Sequence, residues 1–245
     1  MSASAQPRLA GRQPSARGRG APGDDQAGAN PPGKPPAEEC TTMPPVTFSA
    51  AGSADSTRIA ALHADSWRRH YRGAYADTYL DGDLLSERSA VWASRLASPT
   101  GTATIIAERS GHLTGFVHVL LDADPHWGSL IDNLHVHHTE HRTGVGTQLM
   151  THAARAAITH GKTRALHLWV LQQNTRAQKF YVACGGTVVE TGTVTAPHGN
   201  AAFLNGKPTK YCMAWPDATP LVDTSNRIRS ERRPHTSSTI TPDAG

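Results

Sequence analysis

LIDNLHVHHTEHRTGVG, residues 130–146, runs without a break into TQLMTHAARAAITHG, residues 147–161. The first part begins as an apolar strand and ends in a turn holding Gly144 and Gly146. The second repeats apolar residues at helical spacing, with Val145, Leu149, Ala153 and Ala156 on one face. A strand that turns through glycines straight into a helix aims unpaired backbone N–H groups and the positive helix end at one point. Such a point binds anions, phosphate above all.

Working outward, a strand-like run at 46–49 opens the regular structure. A helix to about residue 69 follows, capped by Asp55 and apolar at Ile59, Leu62 and Trp67. Next comes a loop rich in aromatics and acids, with Tyr71, Tyr75, Asp77, Tyr79, Asp81 and Asp83, and then a helix at 84–96 that stops before Ser98-Pro99. Strands at 103–108 and 113–121 flank Ser110-Gly111, a hairpin turn. After the strand 129–136 and the helix 144–160, closed by Gly161 as C-cap, come strand 166–170, helix 175–184 and strands 187–195 and 211–215. Hairpins first and strand-helix alternation later imply an α/β domain, a mixed sheet with helices on both faces.

The two ends of the 245-residue chain read differently from its middle. Residues 1–42 are rich in Pro, Gly, Ala and Arg, and apart from Met1 their only large aliphatic is Leu9, so they are expected to be disordered. They match neither a signal peptide nor a transit peptide, and translation is expected to begin at Met43. Residues 216–245 read as a polar tail with a diluted basic cluster at Arg227, Arg229, Arg232 and Arg233. The globular domain is thus 43–215. The net charge of +4 is spread over all these segments, which argues against a nucleic-acid footprint. Three scattered cysteines exclude a disulfide framework, and no stretch is long enough to span a membrane. A reduced cytoplasm is the expected location, and homodimerisation the default for exposed sheet edges.

A second segment, LHLWVLQQNTRAQKFYVACGG at 166–186, places Asn174, Ala177 and Tyr181 on one helical stripe. With Asn174 as an N-cap and Tyr181 as a half-buried core aromatic, the helix needs no ligand; beside a glycine anion loop, a ligand-binding stripe is favoured. Read together, His141-Arg142-Thr143-Gly144-Val145-Gly146 and this run resemble the GCN5-related N-acetyltransferase (GNAT) superfamily. Its loop reads Q/R-x-x-G-x-G/A, and its later segment L-x-V-x-x-x-N-x-x-A-x-x-F-Y-x-x-x-G. Asn174, Ala177, Phe180, Tyr181 and Gly185 stand in register with the latter. The resemblance covers about 46–215. His141 departs from the usual Gln or Arg, and Gly186 from an aromatic.

The resemblance implies an acyl-CoA acyltransferase fold with a mostly antiparallel sheet. It also implies acetyl-CoA as co-substrate, with no metal, and an amine acceptor of unknown identity, reacting directly in a ternary complex. Main-chain groups of Arg142, Thr143, Gly144, Val145 and Gly146 and the Thr147 hydroxyl would bind the diphosphate, with an imidazole contact from His141 where the family has a charged or amide one. Backbone near Leu134, His135 and Val136, on a strand that splays from its neighbour, would meet the pantetheine arm and the thioester carbonyl. Asn174 and Ala177 would complete the binding stripe, and Tyr181 would be the general acid, a phenol of pKa ~10 facing a thiolate.

Where some relatives carry a Glu base, this chain has Leu130 and Trp169, which leaves His135, Asp132 or water near Asn133 as candidates, and His135 ranks first by reference pKa. Asp77, Asp81, Asp83 and Glu87 with Tyr71, Tyr75 and Tyr79 are expected to form an acidic, aromatic mouth for a cationic amine. Two other classes compete. The run His135-Val136-His137-His138-Thr139-Glu140-His141 resembles the ligand string of a metal-dependent hydrolase. The missing carboxylates at 130 and 169 suit a non-catalytic acyl-CoA-binding module.

Overall fold

A computed structural model describes residues 43–223, and the expectations placed on 1–42 and on the Arg227–Arg233 cluster lie outside the described residues. The seven strands are β1 (Val46–Ala50), β2 (Thr102–Arg109), β3 (His112–Asp124), β4 (Gly128–Val136), β5 (Leu166–Leu171), β6 (Thr187–Thr193) and β7 (Thr209–Trp215). They form one sheet in the order β1-β2-β3-β4-β5-β7-β6. Every neighbouring pair is antiparallel except β4 and β5. The sheet is therefore mixed and mostly antiparallel, as the resemblance implied.

Helices cover it, among them α1 (Ser56–His70), α2 (Asp77–Leu80), α3 (Leu84–Ala97), α4 (Val145–His160) and α5 (Thr175–Ala183). On one face α4 turns Val145, Leu149, Met150, Ala153, Ala154 and Ala157 onto Val117, Val119, Ile131, Leu166 and Met213. On the other, Ile59 and Leu62 of α1 and Trp92 and Leu96 of α3 enclose Ile106 and Phe116. Fully burying each large side chain of this kind stabilises the fold by roughly 1.5–3 kcal/mol. A third cluster, with Tyr75, Tyr79, Leu80 and Leu84, lies under the loop after α1.

The differences from expectation are local. Helix α2 was read as loop, because a single turn is too short to show periodicity. Asp55 begins α1 without a capping hydrogen bond; its carboxylate accepts from the Gly52 N–H and binds Arg58. Gly161 closes α4 in an extended conformation, not the left-handed one of a glycine C-cap, and donates to the Ala157 carbonyl. The chain past Trp215, read as tail, contributes Ala218 and Leu221 to the core, so the packed region extends beyond residue 215. Cys184 and Cys212 are free thiols. Among the described residues no helix is long and apolar enough to cross a membrane.

Candidate active site

The parallel pair that breaks the antiparallel pattern also makes the site. β4 and β5 are in register only at Ser129↔Leu166, Leu130↔His167 and Ile131↔Leu168. Beyond Ile131 an irregularity in the pairing of β4 with β3 leaves Asp132 without a partner, and the two central strands diverge. β4 stays paired with β3 up to Val136, and the His137 N–H donates to the Thr114 carbonyl at 2.8 Å. Antiparallel alternation then turns the backbone groups of Leu134 and Val136 toward the open edge. Both residues line a cavity of about 860 Å³ that fills the gap. That volume is in the range of small-molecule sites.

One end of the cavity is the loop that opens α4. Gly144 caps the helix with φ +90°, a left-handed conformation that favours glycine, and supplies no side chain to satisfy the first N–H groups. The N–H groups of Val145, Gly146 and Thr147 make no hydrogen bond to a described residue, while that of Gln148 already donates to the Gly144 carbonyl. Arg142 takes a left-handed φ of 68° and lines the cavity with Gly144, Gly146 and Thr147. Thr143 and Val145 do not line the cavity: the Thr143 hydroxyl and N–H both donate to the Glu140 carbonyl, at 2.7 and 3.4 Å, and the Val145 side chain is in the core. Glu140 in turn is clamped by Arg109 through two 3.0 Å hydrogen bonds, which fix the loop to β2. A helix N-terminus left open in this way fits a diphosphate.

His141 reaches the cavity but does not suit a phosphate contact. Its Nε2 lies 3.2 Å from the Val136 carbonyl, and burial lowers its pKa, so the ring is neutral near pH 7. Arg176 lines the same end and supplies a cation. Sequence reading passed over it, although a basic residue in the first turn of a helix opposes the helix dipole and is a signal of its own.

On α5, Asn174, Ala177 and Tyr181 all line the cavity, as their spacing required. The Asn174 Oδ1 is committed as N-cap, accepting from the Ala177 N–H at 3.1 Å. Tyr181 is buried among Phe180 and Trp215, and its hydroxyl has no hydrogen-bond partner among the described residues. Burial raises its pKa above that of a free phenol, so the group is fully protonated at neutral pH and a weaker acid than the sequence reading assumed.

The candidate bases separate. Asp132 lies outside the cavity, 2.7 Å from the Arg95 guanidinium and accepting from the Asn133 amide at 2.5 Å. His135 lines the cavity, with Nδ1 2.7 Å from the Ser66 hydroxyl and its ring tilted over His63. Burial holds its pKa down to about 3, so it is neutral at working pH and weakly basic.

The other end of the cavity is built by α1, the loop after it, β5 and β7. Trp67, Tyr71, Tyr75, Trp169 and Lys210 line it, and of these the sequence reading placed only the two tyrosines in a mouth. The expected acidic mouth is overturned. Asp77 and Asp81 pair with Arg72, and Glu87 pairs with Arg88 and accepts from the Tyr79 hydroxyl at 2.9 Å. None of Asp77, Asp81, Asp83 and Glu87 lines the cavity. The histidine string does not converge either. His135 bonds Ser66, His137 Nδ1 lies 2.8 Å from the Thr139 hydroxyl, and His141 turns to Val136. Among the described residues no group of three or more His, Cys, Asp or Glu side chains is placed to hold a metal ion.

Comparisons with known proteins agree with this geometry. Among curated proteins none matches the sequence. The fold is similar to that of a PaiA N-acetyltransferase from Thermoplasma acidophilum solved in complex with coenzyme A, at TM-score 0.55 and 18% identity, covering 69% of this chain and 98% of that one. It is also similar to the putative acetyltransferase YncA of Salmonella typhimurium, solved with acetyl-CoA, at TM-score 0.51 and 18% identity over 70% of this chain and 93% of that one. A spermidine N-acetyltransferase, SpeG of Vibrio cholerae, matches at TM-score 0.51 and 15% identity, over 73% and 98% of the two chains. The sequence profile of the acetyltransferase (GNAT) family matches residues 61–185, half of the chain, and the protein belongs to that family.

Proposed function

We propose that the protein moves an acetyl group from acetyl-CoA to a primary amine of a small molecule, peptide or protein, by direct transfer in a ternary complex. The observation that carries this reading is the meeting, in one cavity, of the unpaired N–H groups at Gly146 and Thr147, the open edge of β4 and Tyr181. The first would hold the diphosphate, with Arg142 and Arg176 beside it. The Leu134 and Val136 main chain would pair with the pantetheine amides as a short added strand. An N–H on that edge would stabilise the oxyanion that develops at the thioester carbonyl. The shared fold of a protein named as a spermidine N-acetyltransferase supports nitrogen as the acceptor atom.

In the transfer the amine nitrogen forms a bond to the carbonyl carbon and the carbon–sulfur bond breaks. The Tyr181 hydroxyl gives its proton to the departing sulfur, and the proton lost by the amine returns to Tyr181 through water. With its raised pKa, Tyr181 holds that proton until the sulfur has gained enough charge to take it. His135 orients the acceptor end through its Ser66 hydrogen bond; it is too weakly basic to strip an ammonium ion, so the amine must arrive neutral.

The weak base also favours a second reading, an acyl-CoA-binding module without transfer. Calorimetry with acetyl-CoA, followed by thiol release against a panel of amines, separates the two. Binding with amine-dependent release supports the enzyme, binding without release the module, and no binding rejects both.

A further inference from the structure

The acceptor end of the cavity has a composition that narrows what can enter it. Lys210 stands at the start of β7, in register with Leu171 of β5 and Gly192 of β6. Its Nζ lies 4.4 Å from the centroid of the Trp169 ring. Gly192 makes this possible: a Cβ there would come within 3.1 Å of the indole and 3.6 Å of the lysine stem. Lys210 is half-buried and forms no ion pair with a described residue; Glu190 on β6 acts on it only through space. Burial lowers its pKa, against the opposite pull of Cys212 and Glu190, the mark of a cation short of water.

No carboxylate lines this end. The acids of the first loop are engaged elsewhere, Asp77 and Asp81 by Arg72 and Glu87 by Arg88, and Glu190, which acts on Lys210 through space, does not line the cavity. What remains beside the lysine is flat and apolar, with the Trp67 ring 4.9 Å from Tyr71 and 5.1 Å from Tyr75, centroid to centroid. A polycation would meet a positive charge here and no carboxylate on the cavity wall, against the arrangement that favours its binding.

Resting on the acetyltransfer reading above, we infer that the acceptor is an amine bearing a carboxylate on an aromatic or bulky apolar body, with the carboxylate on Lys210 and the body among Trp67, Tyr71, Tyr75 and Trp169. The amine is then left to face Tyr181. A lysine already held over an indole loses less freedom on meeting its anion than a free one would.

The test compares acceptors that differ only in the carboxylate, L-phenylalanine against phenethylamine and L-tryptophan against tryptamine, with spermidine as the polycation, by release of the CoA thiol from the full chain. The expected kcat/KM ratio favours the amino acid by about ten- to a hundredfold, the range of one hydrogen bond to a charged group. Lys210→Met, which keeps the apolar stem over Trp169, brings that ratio toward one, and Lys210→Glu inverts it. Equal or better use of phenethylamine, tryptamine or spermidine by the unaltered protein overturns the inference, as does no turnover of the amino acids in protein that binds acetyl-CoA by calorimetry. Absence of acetyl-CoA binding in folded protein sinks the acetyltransfer reading itself, so the two failures are distinguishable.

Discussion

Lowering the pH from 7 to 5 is expected to cost this protein at least about 4 kcal/mol of stability, through buried imidazoles near the acceptor end of the site. His63 is 2% exposed, His118 1% and His135 8%; they pack with Trp92 and Phe116 between the sheet and helices α1 and α3. Burial is the main cause of lowered basicity in each. It takes His118 to about 4 and His135 to about 3, and His63 well below its ordinary value. An unfolded histidine takes up its proton near pH ~6.5, whereas these rings refuse it in the fold. The unfolded state therefore binds more protons throughout this window, and stability falls as the pH falls. His118 and His135 each contribute a loss of roughly 2 kcal/mol between pH 7 and 5, and His63 adds to it in the same direction, set against a total of about 5–15 kcal/mol for a typical domain. Carboxylates with lowered pKa values, such as Glu140 on Arg109, keep their contribution down to about pH 4.5 and do not mask the effect. Urea unfolding at pH 7, 6 and 5 measures the slope, and His118→Gln should remove roughly 2 kcal/mol of the loss. A free energy flat to within about 1 kcal/mol, or three histidine resonances titrating near pH ~6.5 in the folded protein, would refute the reasoning.

Other consequences follow from the site. Tyr181→Phe is expected to lower kcat by about ten- to a thousandfold, with acetyl-CoA affinity by calorimetry nearly unchanged; an unaltered turnover number removes Tyr181 from the chemistry. Gly144→Val forces a β-branched residue to φ +90° at the start of α4, and strain of about 1–3 kcal/mol should appear as weaker acetyl-CoA binding, by roughly five- to a hundredfold. Because His135 is held at about 3 and Tyr181 is pushed above the ordinary phenol range, neither should titrate between pH 6 and 9. The rate should then rise with pH up to the acceptor's own amine pKa, and a bell-shaped profile with an acid limb near pH ~6.5 would contradict that assignment.

The elements of the proposed diphosphate end were legible because their signals are local. Gly144 and Gly146 mark the turn, the alanines of α4 mark its buried face, and Asn174, Ala177 and Tyr181 stand within two turns of one helix. The acceptor end was not legible, because long-range pairing assembles it. Lys210 reaches Trp169 only because β7 runs antiparallel to β5, forty positions away in the chain. The acids of the first loop were misread for the converse reason: Arg72, unremarked in the sequence, folds back on Asp77 and Asp81 and takes their charge. Nor can reference pKa values rank bases whose burial is unknown. His135 looked suitable at an ordinary imidazole value and is disarmed by its depth in the fold. Ala218 and Leu221 were missed because two apolar residues in a polar stretch carry no period.

The divergence of β4 from β5 leaves the molecule with an unfinished seam through its middle, where a sheet would ordinarily be continuous. The N–H groups of Leu134 and Val136 have no strand partner across the gap until something with amides of its own closes it, so in the proposed reaction the carrier thioester would serve as the missing rung of the ladder as well as a reagent. Amide exchange at those two positions should slow sharply on saturation, and the melting temperature should climb with ligand concentration, by the equivalent of about 2.7 kcal/mol at a hundred times Kd. In a cell, the durability of this fold would then follow the supply of acyl donor.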